Sequence, residues 1–236
     1  GATVNSYNGG FLTWSGDGYS VRSPVVVRPV ALAVPAEFSA SAAGASFPIS
    51  FGYSGSFSAI ARGLVPAVVF DGNVDQDPDQ SFSETDLSGT TLLRVNVPVG
   101  STYVRFALYD SDVIAGSDID LYVFRPGGSF AGSSGNGGSD EQVNDMSPQA
   151  GDYFVYIHGW GLPEGTSPFK LYSWTVGDTD NGNMTVSAPA SAAVGVTDHI
   201  SLSFNGLAPS TRYLGSIRYS GTSGLPAPTI ISVDTP

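Results

Sequence analysis

The chain has 236 residues, no cysteine, and 9 basic against 21 acidic side chains, giving a net charge of −12 at pH 7. That length suffices for one large or two small β domains with real cores, and a hydrophobic fraction of 41% argues against disorder despite 30 glycines and 16 prolines. The absence of cysteine excludes disulfides and thiolate metal sites, and the acidic balance excludes nucleic acid and anionic membranes as expected partners.

Charged residues make up only 13% and Lys170 is the single lysine. The surface must therefore be covered largely by Ser, Thr, Asn and Gly, a composition that fits a secreted, extracellular β protein. No apolar run approaches a membrane span, and no charged-then-apolar signal segment opens the sequence. An export signal is expected upstream of Gly1, so the chain reads as a mature piece of something longer.

No amphipathic helix is expected; short β-rich runs separated by Gly, Pro, Asn, Asp and Ser recur throughout, the all-β pattern. Phe11 to Trp14, the turn Ser15-Gly16-Asp17-Gly18 and Tyr19 to Val27 predict a hairpin, with Pro24 marking an edge or a bulge in its second strand. Phe47 to Tyr53 and Phe57 to Arg62 predict two more strands. Ala43-Gly44 before Ile49-Ser50-Phe51 resembles Val194-Gly195 before Ile200-Ser201-Leu202, which suggests two related strand–turn–strand units.

Between these lie Leu92 to Val97, Tyr103 to Tyr109, Leu121 to Phe124, Tyr153 to His158 and Phe169 to Val176, with a Gly- and Ser-rich surface loop from Pro126 to Ser139. The expected fold class is all-β: antiparallel β-sandwiches, with a jelly-roll-like module at 64–178 beside an immunoglobulin-like sandwich built from 29–63 and 179–236. Residues 1–28 are expected to end a further domain, because a lone hairpin is barely stable in water.

Three segments carry a family resemblance. Leu12 to Val27, with its tryptophan strand, Gly/Asp turn and Val21-Arg22-Ser23-Pro24, resembles the last hairpin of the fibronectin-type-III-like domain of large subtilisin-like serine proteases. Asp118 to Phe124 with Gly151 to Trp160 resembles the pre-peptidase C-terminal module of secreted bacterial proteases. Gly182 to Val186, Tyr213-Leu214-Gly215 and Ile230 to Val233 resemble the extreme C-terminal segment of secreted subtilases. The resemblance implies a non-catalytic C-terminal region, aiding folding, stability, secretion or substrate docking, whose partner is a catalytic domain upstream. It also implies a structural part for Asp120, at a turn or strand end. The alternative is a stand-alone module binding carbohydrate or fibrous protein.

The residues agree on the lack of catalysis. A Ser-His-Asp triad needs a serine beside a histidine base, and subtilisin-like enzymes present theirs as Gly-Thr-Ser-Met-Ala. Here Gly165-Thr166-Ser167 continues with Pro168, and Gly221-Thr222-Ser223 with Gly224. The two histidines, His158 and His199, lie in strand contexts.

Acidic groups are the remaining candidates. Asp110, Asp112, Asp118 and Asp120 are expected in one loop, and Asp71, Asn73 and Asp75, followed by Asp77 and Asp79, in another. Calcium takes several oxygen ligands on a turning loop, so both sets are candidate calcium ligands; a solvated acidic surface is the competing reading. Trp160, with His158 and the aromatics Tyr153, Tyr156, Tyr172 and Trp174, is a candidate face for polysaccharide or protein substrate. Trp160 is the one expected to be exposed.

Overall fold

The computed structural model describes residues 3–236, and apart from a 3-10 turn at Asp110–Asp112 its regular structure is all β. Strands β1 (Asn8–Gly16) and β2 (Tyr19–Val27) form a two-stranded ribbon that pairs with no other strand. Asp17 and Gly18 connect them with φ of 48° and 82°, the left-handed pair that a tight two-residue hairpin turn requires. Register puts Leu12, Trp14, Tyr19, Val21 and Val25 on one face and Thr13, Ser15, Ser20 and Arg22 on the other. The large apolar side chains of this ribbon are exposed. Pro24 opposes Phe11, and its missing N–H costs nothing because its outer edge has no partner.

The chain forms two compact units. One takes the residues up to Ala61 with Gly182–Leu207 and Ser216–Val233; the other takes Arg62–Asn181 with Ala208–Gly215 and Asp234–Pro236. The early strands are β3 (Leu32–Ala33), β4 (Glu37–Ser41), β5 (Ala45–Phe51), β6 (Gly55–Ser56) and β7 (Ser58–Pro66).

The second unit is a sandwich of eight strands: β8 (Val68–Asp75), β9 (Thr90–Val97), β10 (Ser101–Leu108), β11 (Asp118–Phe124), β12 (Phe130–Ser134), β13 (Glu141–Asp145), β14 (Gly151–Gly161) and β15 (Thr166–Gly177). One sheet runs β13-β10-β15-β8 and the other β12-β11-β14-β9. Counted along the chain, the first, eighth, third and sixth strands face the second, seventh, fourth and fifth, the order of two Greek keys wrapped on each other. Alternation supplies the core: Val104, Phe106 and Leu108 from one sheet meet Ile119, Leu121, Val123, Tyr153, Val155 and Ile157 from the other. Each such fully buried side chain contributes about 1.5–3 kcal/mol.

The later strands are β16 (Met184–Ser187), β17 (Ser191–Ala192), β18 (Thr197–Phe204), β19 (Arg212–Ser220) and β20 (Thr229–Asp234). They complete the sheets β16-β18-β5-β3 and β4-β20-β19-β7 and the short pair β17-β6. The two similar segments of the sequence are direct neighbours here: β18 pairs with β5, Ile200 opposite Phe47. Phe47, Ile49, Ile200, Ile217 and Ile231 are all buried.

Leu121 has no exposed surface at the centre of its sandwich. Leu121→Ala is expected to lower stability by about 2–5 kcal/mol in denaturant unfolding. Val99→Ala, at a site 91% exposed, is expected to change nothing measurable.

Candidate functional site

Strand β11 turns Ile119, Leu121 and Val123 into the core, so Asp120, Tyr122 and Phe124 point to the other face of the sheet. In the adjacent β14, Phe154, Tyr156 and His158 point the same way, and Asp120 is directly opposite His158. Left bare, this outer face would be wet. The segment between β8 and β9, residues 76–89, covers it instead. Phe82 lies flat on Tyr122, ring centroids 3.8 Å apart, and meets Tyr156 and His158 edge-on. The contacts with Tyr156 and His158 have the edge-to-face geometry that aromatic pairs favour.

The cover is fastened by charge. His158 is fully buried, and its Nε2 donates to Asp77 Oδ2 at 2.8 Å. Its Nδ1 faces Asp120 Oδ2 at 3.5 Å, an ion-pair distance rather than a hydrogen bond. Asp77 also accepts the backbone N–H groups of Ser81 and Asp79, which closes its own loop. Burial opposes the charge on His158, but Asp120 and Asp77 outweigh it and raise the imidazole pKa above 6.5. Burial likewise opposes the charge on Asp77, but His158 and the two amides hold its pKa below 3.8. The His158 ring thus lies between the carboxyl groups of Asp77 and Asp120.

Two glycines allow the segment to come this close. A Cβ on Gly159 would stand 2.3 Å from the Asp75 carbonyl oxygen, and one on Gly89 2.3 Å from the Asp77 Cα. The same segment grips the end of β14. The Gln76 and Gln80 side-chain amides both donate to the Trp160 carbonyl, at 2.8 and 2.9 Å, and Gln76 Oε1 accepts Leu162 N. Trp160 is thus held by its backbone while its side chain is 42% exposed.

Beside Trp160 opens a cleft of about 720 Å³, walled by Val113, Ala115, Leu162 and Pro163 and bearing the carboxylates of Asp110 and Asp118. Asp110 accepts Ser139 N at 2.6 Å. Asp118 Oδ1 is buried and accepts no hydrogen bond. Burial first, then repulsion from Asp120 and Asp110, raises the Asp118 pKa above the usual carboxylate value. Glu141, almost wholly buried, is raised by burial too.

Several expectations are corrected by this geometry. His158 is not a surface residue: the 76–89 segment seals it. Tyr153, Tyr156 and Trp174 are buried as well, leaving Trp160 and part of Tyr172 for an exposed face. Asp118 and Asp120 belong to a strand, not a loop, because β11 begins at Asp118. Asp71, Asn73 and Asp75 also lie on a strand, where alternate residues stand about 6.6 Å apart, so they do not turn around an ion; Asp71 meets Lys170 instead. Asp112 accepts the Tyr172 hydroxyl and Asp120 faces His158. Among the described residues, no three His, Cys, Asp or Glu side chains gather into a cation site. Sequence reasoning missed Gln76, Asp77 as the partner of His158, and Phe82. The available signal was Phe82 itself, a lone large aromatic in a polar stretch.

Residues 89–159 match the bacterial pre-peptidase C-terminal domain, a match that supports a C-terminal accessory module. It takes in Asp120 and His158 and stops short of Trp160. No curated protein matches the chain. Among solved structures it is similar to the Aeromonas hydrophila PliG, a periplasmic lysozyme inhibitor of g-type lysozyme, at 12% identity over 47% of this chain and 86% of that one, with a TM-score of 0.31. A likeness that loose carries no argument.

The charge group sets a pH signature. With its pKa raised above 6.5, His158 contributes stability in full below about 6.5 and loses it as pH rises through the raised value. With its pKa lowered below 3.8, Asp77 contributes above about 3.9 and loses it as pH falls through the lower value. Thermal unfolding across pH is therefore expected to show a fall on the alkaline side. His158→Asn should make that fall shallower and lower stability by about 3–5 kcal/mol near pH 6, by leaving buried carboxylates without their cation. Gly159→Ala is expected to lower the melting temperature, while Gly137→Ala, with open space around its Cβ, leaves it unchanged.

Proposed function

We propose that the chain is a non-catalytic C-terminal accessory region of a secreted, extracellular subtilisin-like serine protease, working with a catalytic domain upstream and docking on protein substrate. The observation that carries this reading is the match of residues 89–159 to the bacterial pre-peptidase C-terminal domain, a domain that occurs in secreted bacterial proteases and is itself non-catalytic. The subtilisin-like parent rests on the resemblance of Leu12–Val27 and of the closing segments. Among the described residues no helix is long and apolar enough to cross a membrane.

The side chains support a lack of catalysis. A general base must reach the proton it abstracts, and His158 has both ring nitrogens turned to carboxylates inside a sealed layer. Ser167 is buried, donates to the Pro168 carbonyl and accepts Ile114 N. A second reading, a stand-alone binder of polysaccharide or fibrous protein, draws on the exposed Trp160 at the cleft.

The purified chain is expected to leave casein intact and to be retained on insoluble collagen or keratin. Casein hydrolysis that disappears in His158→Ala would overturn the accessory reading. Retention on cellulose or chitin alone would favour the second.

A further inference from the structure

The cleft beside Trp160 combines three features that ask for one kind of ligand. Its acidic groups have no basic partner there: Asp110 and Asp118 line it, and no lysine or arginine does. The buried Oδ1 of Asp118 lacks any hydrogen bond, although buried polar atoms are paired as a rule. Beside Ser117 and glycine backbone, its lining holds the apolar side chains of Val113, Ala115, Leu162 and Pro163 and the exposed Trp160. The volume, about 720 Å³, lies in the range of about 300–1,000 Å³ typical of specific small-ligand sites.

A metal ion answers only the charge. It needs several converging oxygens, and among the described residues no such group of three exists. A sugar answers only the indole, since neutral hydroxyls do not offset the mutual repulsion of Asp118, Asp120 and Asp110. A lysine or arginine side chain answers both. Its alkyl stem covers apolar surface while its charged end stays at a polar group, and tryptophan is the aromatic best suited to face a cation.

We propose that this cleft binds a lysine or arginine side chain of an extended polypeptide, with the alkyl stem against Trp160 and Leu162 and the charged end toward Asp110 and Asp118. The proposal rests on the docking role given above and names its ligand. The grip of Gln76 and Gln80 on the Trp160 carbonyl makes Trp160 a preformed wall, so little ordering is needed on binding. The long-range attraction of a chain of net charge −12 adds to the encounter rate and not to specificity.

The test is calorimetric titration with a blocked alternating Gly-Lys peptide, its lysine-acetylated twin, a chitin oligosaccharide and calcium chloride. The Gly-Lys peptide is expected to bind, and more weakly as salt rises; acetylation, Asp118→Asn and Trp160→Ala should each weaken it about tenfold or more, about 1.4 kcal/mol. Asp71→Asn, on the exposed Asp71 of β8, should have no effect. Asp118→Asn keeps the shape of the side chain, and its melting temperature certifies the fold; Trp160→Phe serves where Trp160→Ala does not fold. Equal losses in Asp71→Asn and Asp118→Asn would reduce the effect to diffuse attraction and overturn the proposal. So would an oligosaccharide or calcium response that Asp118→Asn or Trp160→Ala abolishes, with none for the Gly-Lys peptide. Retention on collagen or keratin without any peptide response would sink the cleft assignment and spare the accessory reading, whereas casein hydrolysis would sink the accessory reading by a separate measurement.

Discussion

One histidine held between two aspartates organises the sheet face that the 76–89 segment covers. His158 and Asp120 are cross-strand neighbours on the outer face of a sheet, where a β-sandwich ordinarily meets water. Asp77, from the segment before β9, completes the pair and draws that segment across the sheet. Burying a lone charge is costly, and burying two carboxylates together is worse. The arrangement holds because the three groups leave water together. The price of taking either carboxylate's partner away is correspondingly steep.

The layer that results gives the sandwich a second, smaller core outside its first. Phe82 stacks on Tyr122 and contacts Tyr156, so the segment is held by apolar contact as well as charge. Its reach extends to the end of β14, where Gln76 and Gln80 fix the backbone of Trp160 and Leu162. A buried polar group and an exposed cleft are thus joined by two glutamine side chains. The cleft wall on that side is held by the same segment that seals His158.

The molecule also divides its acidic residues by role. Asp120 and Asp77 face the buried His158, Asp145 pairs with Arg125, and Asp112 accepts a tyrosine hydroxyl. Asp118 and Asp110 are left at the cleft. The β1–β2 ribbon exposes apolar residues on both faces, Leu12, Trp14, Tyr19, Val21 and Val25 on one and Phe11 and Val26 on the other.

The sequence by itself determined the fold class. Alternation in Leu92–Val97, Tyr103–Tyr109 and Tyr153–His158 marks which side chains enter a core, because side-chain direction in a strand has a period of two. The Asp-Gly turn after Trp14 determined the first hairpin for the same local reason. Tertiary structure alone decided the site. Asp77 and His158 are 81 residues apart, and nothing in the local pattern of either says that a loop will cross the sheet to join them. The same crossing turned His158 from an edge residue into a fully buried one. Strand extension separated Asp71, Asn73 and Asp75, which had looked like ion ligands in sequence. Spacing along a chain fixes direction within an element, whereas the meeting of charges depends on which elements are stacked, and that depends on the whole core.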